Sequence, residues 1–437
     1  MPSISSTGLV HVEGVVITLL VVGGLFWVML KRFGATRPAL HVGRPVAVAY
    51  AARLAAIAGI SATGLESTLR GGDETTYLNL AQFLAQLPLG SSFLPHKGYQ
   101  LQTILFALET KLGFMSVGAM RIVQVGITMI GMILIVVAVN DLAGPRAARI
   151  AAWVLALEPT TIFFDSALYK DPNMDLAAGL VVFGGTMIWR RLDVRGIIVC
   201  ALGGAIAVET RSYAGWFLVS AAVLILLHAA IRHIDRPLRA MPVIYAVVIA
   251  GFLVAPVLMQ ASSKKNLQSL QVSQTANATG AGQGSGGANA SNLALEKVDF
   301  STRGAILTNL PKRIRDLILK PYPWQLGDSS QRFGAIGTLF SYVVLLLLIR
   351  FAWMSRGEIL PRAAPLLYPI FFLLIAYSLS VGNAGTGFRY RTHLTILAVA
   401  ATVILREVAR RRKAQATALA NPPKPEARAR SAAPAAV

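Results

Sequence analysis

Cysteine and charge are both scarce in this 437-residue chain. Its one cysteine, Cys200, excludes a structural disulfide within the chain and a cysteine-based metal cluster. Only 14% of its residues are charged, whereas soluble domains carry about 25%. The sequence also lacks a phosphate-cradling P-loop, a dinucleotide fingerprint and a histidine-based zinc motif. These absences leave no support for a nucleotide-binding or zinc enzyme of those types.

Long uncharged runs dominate what the chain does contain. Hydrophobic residues make up 55% of it, and a helix that crosses a bilayer needs roughly 20 mostly apolar residues. Such runs predict an all-α, polytopic transmembrane helical bundle of about 11 spans. The predicted spans are 9–30, 46–65, 118–139, 149–165, 173–190, 196–210, 213–231, 241–259, 335–353, 364–381 and 391–406.

The basic residues set the predicted orientation. The formal net charge is +21, which in a soluble protein would suggest a nucleic-acid partner. Here the cations fall in alternate loops and in the C-terminal tail, as the positive-inside rule describes for cytoplasmic segments. Residues 1–8 carry neither Lys nor Arg, which argues against a cleavable signal peptide and for an exported N-terminus. We therefore expect a multi-pass protein of the cell (plasma or inner) membrane, with a cytoplasmic C-terminus, membrane lipids around it and no nucleic-acid partner.

The same pattern divides the chain into five segments. These are an extra N-terminal transmembrane helix with a cytoplasmic loop (1–45), a transmembrane core with the first exported loop (46–259), a large and partly low-complexity exported loop (260–334), C-terminal transmembrane helices (335–406) and a basic disordered cytoplasmic tail (407–437). Within the first exported loop, apolar residues recur at helical spacing in 76–87 and 100–112. Both stretches predict helices lying along the membrane interface.

Two adjacent carboxylates, Asp73 and Glu74, follow the second predicted span directly. Such a pair at a membrane boundary could hold a divalent metal, or one of the two could act as a general base. The alternative is structural: Asp73 caps a helix that starts at Glu74, whose charge then favours the positive end of that helix. The residues alone leave both interpretations open.

A second acidic group surrounds the start of the predicted span 173–190. Pro172 suits a first helical position, which makes Asp171 the predicted N-cap. Asp171 and Asp175 are four residues apart and therefore share a helix face. One turn into a membrane helix, Asp175 requires water or a partner, and Lys170 is the nearest cation. A capping role and a site role are compatible here.

Glu209, Arg211 and Tyr213 lie between two predicted spans that have almost no loop between them. A Glu and an Arg so close to hydrocarbon are expected to be buried in the bundle and paired. That pair could be part of a site or a structural ion pair.

The segment 382–391 gives the sharpest signal for a binding site. It contains three glycines and ends in Arg389, Tyr390 and Arg391, just before the last predicted span. A helix that starts on the exported side points its positive dipole end and its free N–H groups outward. Arginines placed there suit a phosphate or pyrophosphate.

In this order, these pieces resemble the GT-C superfamily of membrane glycosyltransferases, and in particular the bacterial relatives of dolichyl-phosphate-mannose protein mannosyltransferases. The resemblance lies in the Asp73-Glu74 pair of the first exported loop, in Lys170-Asp171-Pro172 of the second, and in Arg389-Tyr390-Arg391 before the last helix. It covers residues 46–230 well and 300–405 loosely, and the span 9–30 is extra to it.

The resemblance implies transfer of a sugar from a polyprenyl-phosphate-linked donor to a glycan, lipid or protein acceptor on the exported face. Asp73 is then the base or a metal ligand, and Glu74 and Asp171 are the other candidate catalytic residues. No cofactor is certain, although a divalent metal could bind at Asp73 and Glu74. The candidate substrate-binding residues, assigned mainly from charge and location, are Lys170, Asp175, Arg211, Tyr213, Arg389, Tyr390 and Arg391.

Two other classes of membrane protein remain open. A polysaccharide polymerase or ligase also uses lipid-linked sugars, but relies on arginines more than on an early Asp-Glu pair. A lipid or solute transporter places substrate near the bilayer midplane, often on broken helices in repeated halves. The chain shows no internal repeat, and its unusual charges collect at one boundary.

Overall fold

A computed structural model of the chain describes most of the bundle. The described residues are 12–63, 72–89, 101–112, 116–233, 235, 241–251, 268, 271–272, 275, 295–296, 298–322, 324, 329–382 and 384–420. Almost all of the low-complexity run near 274–292 lies outside them. Every regular element in the described part is a helix, which confirms the all-α class.

The helices are numbered in chain order. They are α1 Val12–Thr36, α2 Gly43–Ala62, α3 Gly72–Gln86, α4 Leu101–Lys111, α5 Val117–Ala143, α6 Pro145–Ala156, α7 Pro159–Asp165, α8 Asp171–Arg191, α9 Arg195–Thr210, α10 Ser212–Arg232, α11 Met241–Gly251, α12 Arg303–Leu319, α13 Ser329–Met354, α14 Ile359–Ser380 and α15 Ala384–Ala420.

Seven of these helices are long and apolar enough to cross a membrane: α1, α2, α5, α10, α13, α14 and α15. The pair α6 and α7, bent by 58° at a short break, adds an eighth if it is one broken span. The chain is therefore a multi-pass membrane protein. The other three predicted spans correspond to α8, α9 and α11; α9 and α11 are short, and α8 carries charge at both ends. The total of about eleven spans stays a prediction.

Close backbone contact between α5 and α8 fixes the position of the acidic group on α8. A Cβ atom added to Gly131 of α5 would lie 2.5 Å from the backbone oxygen of Asp175. A Cβ added to Gly179 of α8 would lie 2.5 Å from the backbone oxygen of Gly131. Because neither position has room for a side chain, the two helices pack backbone to backbone. Small residues permit such close approach between membrane helices.

The last helix is longer at both ends than the sequence indicates. It begins at Ala384, so Arg389, Tyr390 and Arg391 lie in its first turns and not in a glycine-rich loop. At the other end it continues to Ala420, well into the tail predicted to be disordered from residue 407. Glu407 stabilises this extension by pairing with Arg410 and Arg411, three and four residues further on.

The two helices predicted for the first exported loop are present as α3 and α4. They pack against each other around Leu84 and Phe106, which are fully buried. This small cluster also includes Met120 of α5 and Leu168, just before α8. The pair α3–α4 therefore lies at the end of the bundle where α8 begins.

Candidate functional site

Asp171 is the centre of a buried charged cluster. Its carboxylate accepts a hydrogen bond from Arg211 Nη2 at 2.9 Å through Oδ1, and another from Arg389 Nε through Oδ2. Only 1% of Asp171 is exposed. The two guanidinium groups come from distant parts of the chain, one from the junction of α9 with α10 and the other from the second turn of α15. Two cations thus converge on a single carboxylate at one end of the bundle.

His393 joins Asp171 to Asp175. It lies four residues after Arg389 on α15 and therefore shares a face with it. Its Nε2 is 3.1 Å from Asp171 Oδ1, and its Nδ1 is 2.7 Å from Asp175 Oδ1. All three side chains are almost completely buried, and Asp175 Oδ2 has no hydrogen-bond partner among the described residues. The expected sharing of a face by Asp171 and Asp175 is confirmed by this bridge.

The cap predicted for α8 is wrong by one residue. The helix begins at Asp171 with Lys170 as its N-cap residue, and Lys170 makes no side-chain cap bond. The Asp171 carboxylate bonds to Arg211, Arg389 and His393, so it belongs to the cluster. Lys170 Nζ lies 5.3 Å from the ring centroid of Tyr77, which connects the start of α8 with α3.

Tyrosine rings cover both guanidinium groups of the cluster. The Arg211 guanidinium carbon lies 4.6 Å from the ring centroid of Tyr390, and that of Arg389 lies 4.0 Å from the centroid of Tyr169. Both distances are typical of cation–π contacts. Tyr213 donates a hydrogen bond to the Tyr390 hydroxyl at 2.7 Å and is 39% exposed. Tyr213 and Tyr390 therefore form a partly open edge of the cluster.

Arg391 points away from Asp171. Its Nη1 donates to the backbone oxygens of Ile318 and Lys320 at 2.7 and 3.3 Å, and its Nη2 donates to Thr338 Oγ1 at 2.8 Å. Only 4% of Arg391 is exposed. It thus holds the C-terminal end of α12, where free carbonyls favour a cation. Arg389 and Arg391 serve opposite faces of α15, as their spacing of two residues predicts.

The pairing expected for Glu209 is wrong. Glu209 is exposed, because Ala207 and Thr210 occupy the buried face of the last turn of α9. Arg211 is buried as expected, but its carboxylate partner is Asp171. Arg391, which the sequence predicted to bind phosphate, bonds instead to backbone oxygens and a hydroxyl.

Glu74 lies in a buried ion pair at the boundary of α3 and α5. Its Oε1 accepts hydrogen bonds from Arg121 Nε at 3.0 Å and Nη2 at 2.6 Å. The side chain of Asp73 is outside the part of the chain that the structure describes, so its role as base or metal ligand stays a prediction. Within the described part, no group of three or more His, Cys, Asp or Glu side chains is arranged to hold a metal ion.

Sequence reasoning missed three buried residues near this end of the bundle. His393 is one, although it lies one helical turn after an arginine already singled out. The others are Arg53 of α2 and Asp165 of α7, whose Nε and Oδ2 atoms are 2.8 Å apart. Arg53 also donates to Thr161 Oγ1 at 2.7 Å. This second ion pair fixes the broken helix α6–α7 against α2 and carries no signal in the local sequence.

Comparisons with known proteins give one distant likeness. No protein-family model and no curated protein matches the chain. Among solved structures, it is similar to the archaeal oligosaccharyltransferase AglB from Archaeoglobus fulgidus, in complex with an inhibitory peptide and a dolichol-phosphate, at a TM-score of 0.41 and 12% identity. The match covers 82% of this chain and 49% of that one, so the chain spans about half the length of AglB. At this level of similarity, the case for a function rests on the side chains described above.

Proposed function

We propose that the chain is a membrane glycosyltransferase, which moves a sugar from a polyprenyl-phosphate-linked donor to a cell-envelope acceptor on the non-cytoplasmic face. The observation that carries this proposal is the convergence of Arg211 and Arg389 at one end of an apolar bundle. Guanidinium groups are well suited to phosphate, because they offer several donors in a fixed plane. A polyprenyl phosphate places its phosphate at such a boundary and its tail in the hydrocarbon.

The proposed reaction needs one proton acceptor and one stabilised leaving group. The acceptor hydroxyl attacks the anomeric carbon, the bond from that carbon to the phosphate oxygen breaks, and the phosphate leaves with the bonding electrons. Arg211 and Arg389 stabilise the charge that develops on the phosphate. The hydroxyl proton passes to a carboxylate. We assign this role to Asp171, whose carboxylate lies beside His393, with Asp73 as the alternative by resemblance to the family motif.

The remaining candidate residues have supporting roles in this proposal. Tyr213 and Tyr390 lie at the open edge, where the sugar or the acceptor would enter. Asp175 fixes the His393 ring through its Nδ1, and Lys170 contacts Tyr77 of α3. Glu74 fixes α3 on α5 through Arg121. With the basic loops in the cytoplasm, the cluster faces the opposite side of the membrane.

A strain lacking the gene tests this proposal. Its glycolipids and envelope glycans should lack one sugar decoration, while the polyprenyl-phosphate-linked precursor accumulates. Complementation with Arg389→Gln should not restore the decoration. Arg195→Gln serves as the matched control, since it removes one exposed arginine at the other end of the bundle. An unchanged glycan and precursor profile in the deletion strain would exclude the proposed class.

A polysaccharide polymerase or ligase is a second candidate. It is favoured by the engagement of Glu74 with Arg121, because a carboxylate held in an ion pair is less available as a base, whereas Arg211 and Arg389 offer two cations to a phosphate. The size of the transferred glycan separates the two. A single-sugar transferase adds one residue to its acceptor, whereas a ligase or polymerase adds a preassembled or lengthening chain.

A further inference from the structure

A polar cavity lies at the end of the bundle opposite the Asp171 cluster. Its volume is about 210 Å³, and it is enclosed by the end of α5, the turn between α13 and α14, and the later turns of α15. Arg362, Arg411 and Arg412 line it together with Glu358 and Glu407. Leu142 and Ala143 at the end of α5 and Val408 of α15 form the apolar part of its wall. The proposed transfer reaction makes no use of this cavity.

The distance along α15 places this cavity at the opposite membrane boundary from Asp171. Arg389 and Arg411 lie on the same uninterrupted helix, 22 residues apart in the sequence. At 1.5 Å per residue they are about 33 Å apart along the helix axis. The hydrocarbon core of a bilayer is about 30 Å thick. If Arg389 lies at one boundary, Arg411 therefore lies at the other.

The guanidinium groups in the cavity are held in position by the protein. Arg411 Nη2 donates to the backbone oxygen of Ala143 at 2.8 Å, and its Nε donates to Glu407 at 3.2 Å. Arg412 Nε donates to Glu358 at 2.8 Å, and its Nη1 donates to the backbone oxygen of Arg356 at 2.9 Å. Each group is thus fixed by one carboxylate and one carbonyl. Because these groups are already ordered, little conformational entropy is lost when a ligand binds to them.

Positive charge prevails on the open side of the cavity. The side chains of Arg411 and Arg412 are 53% and 38% exposed, whereas that of Glu407 is 6% exposed. The carboxylate of Glu407 therefore lies inside, whereas the side chain of Glu358 is 32% exposed and lies beside the outward guanidinium group of Arg412. Four arginines pair with two glutamates in this region, which leaves a surplus of two positive charges. They are Arg362, Arg410, Arg411 and Arg412, paired with Glu358 and Glu407.

We infer that this cavity binds the phosphate of an anionic phospholipid in the adjacent leaflet. The ligand must carry negative charge to meet the outward guanidinium groups, and planar guanidiniums match phosphate oxygens. It must also be amphipathic, because the cavity lies where apolar helices end. Basic pockets between membrane helices on the cytoplasmic side bind anionic head groups in this way. This inference does not depend on the proposed glycosyl transfer.

The test measures lipid binding to the purified full chain in detergent by native mass spectrometry. Phosphatidylglycerol is titrated against phosphatidylcholine, with inorganic phosphate as a third probe. We expect phosphatidylglycerol to bind more tightly than phosphatidylcholine. The double variant Arg411→Gln/Arg412→Gln should weaken that binding by about tenfold if one arginine contacts the phosphate and by about a hundredfold if both do, since each lost charged hydrogen bond is worth roughly tenfold. The matched control, Arg149→Gln/Arg195→Gln, removes two exposed arginines at the same end outside the cavity and should change nothing.

Three results would overturn the inference. The first is an equal loss in the matched control, which would make the effect one of general surface charge. The second is equal affinity for phosphatidylcholine. The third is displacement of phosphatidylglycerol by millimolar inorganic phosphate, which would identify free phosphate as the ligand. If the double variant fails to fold, Arg362→Gln replaces it, because Arg362 forms only an exposed pair with Glu358 through its Nε and should still weaken binding several-fold.

Discussion

Replacing Asp171 by Asn tests whether its carboxylate occupies the place of a substrate phosphate. In the structure this carboxylate accepts hydrogen bonds from both Arg211 and Arg389. A phosphate that binds the same two guanidinium groups must displace it. Asp171→Asn keeps the shape of the side chain and removes its charge. The amide competes poorly with phosphate, because it has one acceptor oxygen and no negative charge.

The expected effects on binding and on transfer have opposite signs. Hydrogen bonds to charged groups are worth roughly 1.5–3 kcal/mol each. If the loss of competition recovers the lower value, affinity for a polyprenyl phosphate rises about tenfold. Transfer should fall by about 10²–10⁴-fold if Asp171 receives the proton. The unliganded variant should also unfold more easily, because removing one partner of a buried ion pair costs about 3–5 kcal/mol.

Calorimetric titration of a polyprenyl phosphate into the protein in nanodiscs measures this affinity. Asp175→Asn is the matched control: it makes the same chemical change one turn further along α8, where the carboxylate bonds to His393. It should not raise the affinity. Weaker or unchanged binding in Asp171→Asn, with the protein still folded, would show that the carboxylate and the phosphate do not compete for these arginines.

Three further predictions concern other parts of the molecule. Arg389→Gln should weaken polyprenyl-phosphate binding by about 1.5–3 kcal/mol, whereas Arg391→Gln should lower the melting temperature and leave the affinity of the folded protein unchanged. Calorimetry measures the affinity and thermal unfolding measures the melting temperature. A larger loss of affinity in Arg391→Gln than in Arg389→Gln would reverse these roles. Burial raises the pKa of Glu109 to about 8, so its contribution to the free energy of unfolding is full below about pH 4.5 and falls as the pH rises to 8. Glu109→Gln should therefore make the free energy of unfolding depend less on pH in this range. An unchanged slope would contradict the raised pKa of Glu109. Of cysteines introduced at the exposed positions Ser212 and Arg356, only Ser212→Cys should react with an impermeant thiol reagent on intact cells. Labelling of Arg356→Cys alone would show that the protein has the opposite orientation in the membrane.

The sequence was sufficient to predict the class of fold and most of the helices. Apolar length decides which segments can cross a bilayer, and that property is local. The start of α15 was misjudged, because Gly382, Gly385 and Gly387 suggest a loop. Helix propensity is a weak preference, and tertiary packing overrides it here: Gly387 is buried close to Leu317 of α12 and Val381.

The sequence identified most residues of the charged site but not how they pair with one another. Asp171, Arg211 and Arg389 were all singled out, since ionisable residues near hydrocarbon require partners. Which residue pairs with which depends on how the helices pack, and the residues of each pair are far apart in the sequence. Arg211 and Asp171 are 40 positions apart, and His393 and Asp171 are 222 apart. The spacing of His393 from Arg389, one helical turn, was the one local sign of its role, and that sign depends on the helix beginning before Arg389.

The hydrogen bonds from Arg391 to the end of α12 limit which residues can be deleted from the protein. The segment 260–334, which the sequence predicts to be exported, contains low-complexity sequence and looks like a natural target for trimming. Removing residues 303–320 with it would take away the carbonyl oxygens of Ile318 and Lys320, to which the Arg391 guanidinium donates. That cation would then lie in the bundle, two residues from Arg389, with fewer acceptors. A shortened form suited to biochemical work should therefore keep α12 and the buried residues Leu295, Val298 and Phe300 that precede it.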